Sequence, residues 1–470
     1  MMKKLMILNC LIVLSLPGLV YTIDKPVHIM FLFVDHWEPE FVQPLATDRA
    51  NYWYNDYHIM ASKHKDADGR MPQHTWFCRD LEPLGLRIIS KAVFSGLGEM
   101  EVHIHHGTAD DTNHDNTQQM SSLLDQHLSC LQKFGACIAA EPAPRTFFGF
   151  IHGMWCLDNS RLRGATLRQY CGVNREIDLL LSKKCYGDFT FPAWGAMEPT
   201  LKSKIFVSKD SDAPKSYDDL SLIRELSTSN GAPLDNELMI LEGPGEFSTN
   251  VDYSHPPTFN SMTEWVSSDV HIIGRDNWIF VKVYTHSAES LTSPTGRLNL
   301  VGDVADKFYR DIEMVYNDGV NYKLHYVTSR EAYNIVIAAT MGKSGDPNDY
   351  RDYRIPQPAN RHFFCDSPYS LIKFDLQKDK SAVLKILELN SPINIWSNDF
   401  NRSDYVFESS DLNGPYTTSD CETSQTATVS LMIKDLTPSN YYKFKINPVA
   451  HQTPIPTHSN PSILNSEGKK

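Results

Sequence analysis

The chain has 470 residues, with 57 acidic against 44 basic side chains and a formal net charge of −13. With no run of lysine or arginine, that balance excludes an electrostatic footprint for nucleic acid or an anionic membrane. The length exceeds one ordinary domain and suits two or three.

Lys3 and Lys4 precede an apolar stretch from Leu5 to Val20, interrupted by Asn9, Ser15, Pro17 and Gly18. This pattern reads as a signal peptide over 1–22, cut near Thr22. No later segment supplies the roughly 20 apolar residues of a membrane span, so the expectation is a secreted protein. Loss of Lys3 and Lys4 would take the net charge from −13 to −15. Cys10 leaves with the signal, and the even number of remaining cysteines favours disulfides in an exported chain. Proximity in sequence suggests Cys130–Cys137 and a pairing among Cys156, Cys171 and Cys185. Asn401-Arg402-Ser403 is a glycosylation sequon.

From residue 27 to about 340, short apolar runs alternate with helix-like segments. The expected strands are 27–34, 74–78, 101–105, 146–152, 204–208, 237–242, 278–286 and 323–327. The expected helices are 47–63, 84–96, 116–134, 174–184, 263–270, 304–317 and 329–341. This alternation predicts βα units around a parallel sheet. About seven or eight such units favour a (β/α) barrel over 23–342, seven-stranded and incomplete in one version. The Gly- and Pro-rich stretch 343–360 reads as a linker or wrapping segment. Short alternating strands over 361–448, with no helix between them, predict an all-β sandwich that Cys365 and Cys421 could clamp. Residues 449–470 have the composition of a disordered tail.

The chemistry gathers where strands end. Residues 101–111 read E-V-H-I-H-H-G-T-A-D-D. With a period of two, His103 and His105 leave the same face, and His106, Asp110 and Asp111 follow in the loop. Imidazoles and carboxylates at this density are the donors that hold Zn²⁺ or a similar divalent ion; the plainer reading is a polar strand end bonded to water and backbone. A second cluster, Asp35-His36-Trp37-Glu38, also closes an apolar run. His152, Glu242 and His286 stand at further strand ends, the place where barrels carry their functional residues. His152, Trp155, Asp158 and Asn159 form another polar group. They would bind a sugar, with Trp155 stacking on its ring, or order a loop held by a Cys156 disulfide. No G-x-S-x-G elbow supports a serine esterase.

These motifs, in this order, resemble the polysaccharide deacetylase superfamily, carbohydrate esterase family four and its relatives. They look more closely like the deacetylase-like proteins associated with bacterial exopolysaccharide synthesis. The resemblance rests on F-L-F-V-D-H-W-E-P (31–39), E-V-H-I-H-H (101–106), F-I-H-G-M-W-C-L-D-N-S (150–160) and C-G-V-N-R-E-I-D-L-L (171–180). It continues through Y-G-D-F-T-F-P (186–192), W-I-F-V-K-V-Y-T-H (278–286), L-H-Y-V-T-S-R-E-A-Y-N-I-V (324–336) and D-P-N-D-Y-R-D-Y-R-I-P (346–356). It covers about residues 27–360 and none of the β domain.

The resemblance implies Asp35 as general base, His36 as a metal ligand in place of the family's second Asp, and His286 as general acid. The family's His-x-x-x-His is His106-x-x-x-Asp110 here, with His103 and His105 offering further nitrogens. The Arg-x-Pro motif has no clean counterpart, although Phe191-Pro192 and Arg161 lie in its region. The implied function is a secreted, metal-dependent polysaccharide deacetylase. It would remove acetyl groups from a polysaccharide or oligosaccharide with a divalent metal, zinc by its donors, and His152, Trp155 and Asn159 on the sugar. Two alternatives stay open. One is a glycoside hydrolase with two carboxylates about 5–9.5 Å apart, drawn from Asp35, Asp110, Asp111 and Glu242. The other is a catalytically inactive carbohydrate-binding protein.

Overall fold

The structure is a computed structural model that describes residues 26–39, 46–79, 81–106, 116–139, 145–160, 172–193 and 195–365, and strand segments within 371–446. The expected signal peptide, the tail over 449–470, Asp110, Asp111, Arg161, Cys171 and Cys421 lie outside the described residues. Among the described residues no helix is long and apolar enough to cross a membrane.

The strands in chain order are β1 (Val27–Trp37), β2 (His74–Cys78), β3 (Gly98–Ile104), the short β4 (Ile138–Ala139) and β5 (Arg145–Thr146), and β6 (Phe148–His152). There follow β7 (Cys185–Asp188), β8 (Ile205–Ser208), β9 (Ile223–Glu225), β10 (Leu238–Leu241), β11 (Trp278–Thr285) and β12 (Tyr322–Val327). Ten of them form one mostly parallel sheet, in the order β11-β1-β2-β3-β6-β7-β10-β8-β9, with β12 pairing the amino half of β1. Only β10–β8 and β8–β9 are antiparallel; β4 and β5 pair apart from the sheet.

The mixed α/β class follows from the sequence pattern. The closed barrel does not: no strand pairing joins β10 to β11 among the described residues. The two approach without a ladder. Lys282 of β11 also reaches the segment after β7, donating from Nζ to Phe189 O at 2.6 Å and to Phe191 O. A Cβ at Gly243, just past β10, would come 2.6 Å from Lys282 O, so a side chain would push the two apart. The sequence reading also missed β7, β9 and the helices Ser287–Ser290 and Pro294–Val301. The expected helix over 47–63 forms as Ala46–Asn51 and His58–Ala61 around a π-helical turn, Tyr52–Tyr57.

β1 is buried along its whole length, which explains its nearly unbroken apolar run, as expected for a parallel strand covered on both faces. Alternate residues divide between two cores. Met30, Leu32 and Val34 join an inner cluster with Tyr186, Met239, Phe280 and the helix Ser329–Thr340. Ile29, Phe31 and Phe33 join an outer cluster with the surrounding helices. All twelve residues of the helix Ser329–Thr340 are buried, and a Thr328–Glu331 capping box starts it.

Residues 343–360 wrap onto this helix. Asn334 donates from Nδ2 to Arg351 O and Ile355 O at 2.7 and 2.8 Å, and Arg330 Nη1 donates to Ile355 O at 2.7 Å. Beyond them the described segments are antiparallel strands. They include Phe363–Cys365 with Ile393–Ser397 and Tyr442–Ile446, and Leu371–Leu376 with Ala382–Leu387 and Thr428–Ile433.

The expected Cys130–Cys137 disulfide does not form. Cys137, at φ 55°, turns its thiol toward Met100 O. Cys185 is likewise a thiol, donating to Gly187 O, so it bridges neither Cys156 nor Cys171. Both side chains are taken up by the sheet interior before they can reach a partner, and burial pushes both thiols well above their ordinary range.

Candidate metal centre

Period-two alternation decides which strand-end residues meet. On β1, His36 shares parity with Met30, Leu32 and Val34 and faces inward. Asp35 shares parity with Phe31 and Phe33 and faces the outer helices. On β3 the outward residues are Met100, Val102 and Ile104, so Glu99, Glu101 and His103 face inward, with His105 next in the series.

The inward residues converge with Glu38. Its Oε1 lies 2.9 Å from His103 Nε2 and 2.6 Å from His105 Nε2. The His36 ring sits 4.9 Å from that of His103 and 4.5 Å from that of His286. His36 and His103 are buried, whereas Glu38, His105, Tyr284 and His286 are part-exposed, so the group opens toward solvent. Burial would raise the Glu38 carboxyl, but hydrogen bonds from His103 and His105 outweigh it and hold it well below the usual range. Burial, then the neighbouring imidazoles His286 and His103, keep His36 far below its ordinary value. Burial lowers His286 as well.

Asp35 sits apart from these groups. Its Oδ1 accepts from Ser287 N at 3.0 Å, and its Oδ2 accepts from Ser287 Oγ and lies 3.1 Å from His74 Nε2. Trp53 Nε1 donates to the same serine hydroxyl at 2.9 Å. The residue expected as general base therefore anchors the backbone just after His286.

His106, one position beyond His105, turns to the outer side. Its Nε2 is 3.1 Å from His152 Nε2, which is 3.1 Å from Glu176 Oε1. His152 thus sits in a fully buried group and not on a sugar-binding surface. Trp155 and Asn159 lie in the turn that follows it. Asn159 donates from Nδ2 to Asn174 Oδ1 at 2.8 Å, and Ser160 Oγ donates to Trp155 O at 3.1 Å.

Three groups of described residues therefore bring three donors within 4.8 Å and could hold a metal ion: Glu38–His103–His105, His106–His152–Glu176 and His28–His325–Asp346. The last is at the amino end of the sheet, where His28 bonds His325 and His325 bonds Asp68, each at 2.8 Å. The first group fits a divalent ion best as a reactive centre. Its 2.6–2.9 Å spacings approach the edge, about 3.3 Å, of a tetrahedron with Zn–N near 2.0 Å. His103 Nδ1 lies 2.8 Å from Ile151 O, the carbonyl contact that commonly fixes a metal-binding imidazole with Nε2 toward the ion.

A fourth cluster lies between the ends of β7 and β10 and the middle of β11. Buried Lys282 is surrounded by Asp188, Glu198 and Glu242. Burial pushes the lysine down, and the three carboxylates oppose that shift. Burial, then the charge of Glu198, pushes Glu242 strongly up. Asp188 rises through burial, although Thr190 bonds both of its oxygens.

The sequence reading left Glu38, Glu176, Asp188, Glu198 and Lys282 without roles. Two carried a visible signal: Glu38 stands two residues after His36, and Lys282 interrupts an apolar strand. No family model, curated protein or solved structure matches the chain.

Proposed function

We propose that the chain is a secreted, metal-dependent deacetylase of an acetylated polysaccharide or oligosaccharide, on a barrel-like sheet with a C-terminal β-sandwich. The observation that carries this reading is the part-exposed Glu38–His103–His105 group beside His36 and His286, at the carboxyl ends of β3, β1 and β11. Glu38, His103 and His105 would hold the ion. When bound, a zinc ion supplies a water with a pKa near 7 and polarises the acetyl carbonyl. His36 and His286, on the inner face beside the ligands, would accept a proton from the attacking water and return one to the leaving amine or alcohol. Asp35 positions His286 by fixing Ser287 from the other face.

One observation favours a second reading, a glycoside hydrolase. Glu242 and Asp188 are carboxyls raised by burial near one another's strand ends, and glycosidases need one protonated carboxyl as acid. The decisive experiment incubates the full chain, loaded with Zn²⁺, with N- and O-acetylated oligosaccharides and analyses the products. Acetate release that disappears in Glu38→Gln supports the deacetylase. Shortened chains without acetate, lost in Glu242→Gln, replace it with the hydrolase. Neither product, with glycan retained, leaves a binding protein.

A further inference from the structure

We propose that His106, His152 and Glu176 form a second, closed divalent-cation site on the outer face of the sheet, and that its ion clamps the turn 153–160. All three side chains are buried. His152 shares its strand face with Phe148 and Phe150, and Glu176 opens the helix Glu176–Ser182, whose Ile177 and Leu180 join the same outer core. The group is therefore separated from His103 and His105 by the sheet, and one ion cannot serve both.

The hydrogen-bond directions argue for a cation at its centre. His152 Nδ1 lies 2.7 Å from Gly153 O, so that nitrogen carries the proton and Nε2 of the neutral ring offers a lone pair. His106 Nε2 accepts from Gly172 N at 3.1 Å, so it carries no proton, and its one lone pair would turn from that amide to the ion. Glu176 adds Oε1, while its Oε2 is fixed by Asp158 N at 2.9 Å. Three electron-rich atoms thus face each other, His152 Nε2 lying 3.1 Å from each of the other two. A proton on His152 Nε2 could bridge to Glu176 Oε1; a divalent ion in its place would draw on all three donors. The spacings approach the tetrahedral edge of about 3.3 Å for Zn–N near 2.0 Å. His152 and Glu176 are each oriented by a backbone bond on their far atom, as metal ligands commonly are.

The surroundings indicate what such an ion would do. Met154, Trp155, Asp158 and Asn159 all hold positive φ, between 49° and 56°, a left-handed conformation that costs non-glycine residues energy and persists only when neighbours over-determine it. The turn springs from His152 and is tied at Asp158 to Glu176. Three protein donors leave a tetrahedral ion one further position, but burial of all three keeps bulk solvent from it, which suits a structural ion.

The inference does not depend on the deacetylase reading, and the test separates them. The full chain is stripped with chelator, reloaded with Zn²⁺ and analysed for metal. Two ions per chain are expected, falling to one in Glu176→Gln and in His106→Gln, and to one in Glu38→Gln. Glu176→Gln keeps an oxygen for Asp158 N, and His106→Gln is the second variant should the first fail to fold. A single ion that persists in both outer-face variants overturns the proposal. A single ion lost in them but kept in Glu38→Gln supports it and removes the inner metal centre instead. No ion overturns both. Without any variant, hydrogen exchange of amides 153–160 should slow at least tenfold on reloading; equal exchange in the stripped and loaded states overturns the clamp.

Discussion

The inner face of β3 samples both ends of the sheet, because Glu99, Glu101, His103 and His105 follow one another at every second position. At the amino end Glu99 meets a permanent cation. Arg330 donates from Nε to both carboxylate oxygens at 3.1 Å and from Nη2 at 2.8 Å. Arg351 extends this network to Glu331, Asp66 and Asp68. At the carboxyl end the partners of Glu38 are imidazoles, the commonest metal-binding side chains. Both ends bury charge, but guanidinium–carboxylate forks satisfy one another, whereas imidazoles can exchange the proton they give a carboxylate for a metal ion. The difference teaches that the kind of buried group, not its number, separates a self-satisfied network from a candidate metal centre.

Removing one partner at the amino end should have the largest effect. Arg330→Ala leaves Glu99 buried without its guanidinium and frees Asp352, Arg351 O and Ile355 O. A loss of about 3–5 kcal/mol is expected, read from urea unfolding. A loss below about 1 kcal/mol would mean that the network is not what holds the helix Ser329–Thr340.

The matching change at the carboxyl end should spare the fold and cost the metal. Glu38→Gln should weaken Zn²⁺ binding about 100-fold or more, since even partners that only orient ligands are worth 10–100-fold. Unchanged affinity by calorimetric titration would dissolve the contrast between the ends.

Asp35→Asn tests the residue that belongs to neither inner end. Its amide keeps one acceptor, while the bonds to Ser287 and His74 are disturbed, so stability should fall by about 1–3 kcal/mol with metal still bound. If Asp35 instead accepts a proton during turnover, activity collapses at unchanged stability.

Glu101 lies between the two ends, and its effect is read as a slope with pH and not as a fixed loss. Burial raises its carboxyl from 4.5 to about 8, against hydrogen bonds from Tyr186 and Gly149. Between those values the unfolded chain has released the proton that the folded chain keeps. Stability therefore falls as pH rises through this window, by at most about 1.4 kcal/mol per unit. Glu101→Gln should flatten that slope in unfolding curves taken from pH 5 to 8; an unchanged slope would place its origin elsewhere.

Much of this was legible along the chain because period and burial are local properties. The runs that became β1, β2, β6, β10, β11 and β12 stood out as apolar stretches, since strands covered on both faces need apolar residues at every position. The histidines at strand ends were visible for the same reason, and so was the shared face of His103 and His105. The split between Asp35 and His36, and between His105 and His106, follows from the same alternation, although reading each motif as one cluster concealed it. β7 and β9 escaped because Cys-Tyr-Gly-Asp and Ile-Arg-Glu carry no apolar run, whereas the equally short β10 reads Leu-Met-Ile-Leu.

What only the tertiary structure decided is which distant residues close each group. Glu38 meets His103 across 65 positions, and Lys282 reaches Phe189 O across 93. The cysteines show the same limit, for Cys130 and Cys137 are near in sequence, yet the turn at Cys137 aims its thiol into the sheet. Side-chain direction is set by the backbone angles and by the elements packed above each strand. Alternation therefore assigns a face to each residue, and only the packed chain supplies its partner.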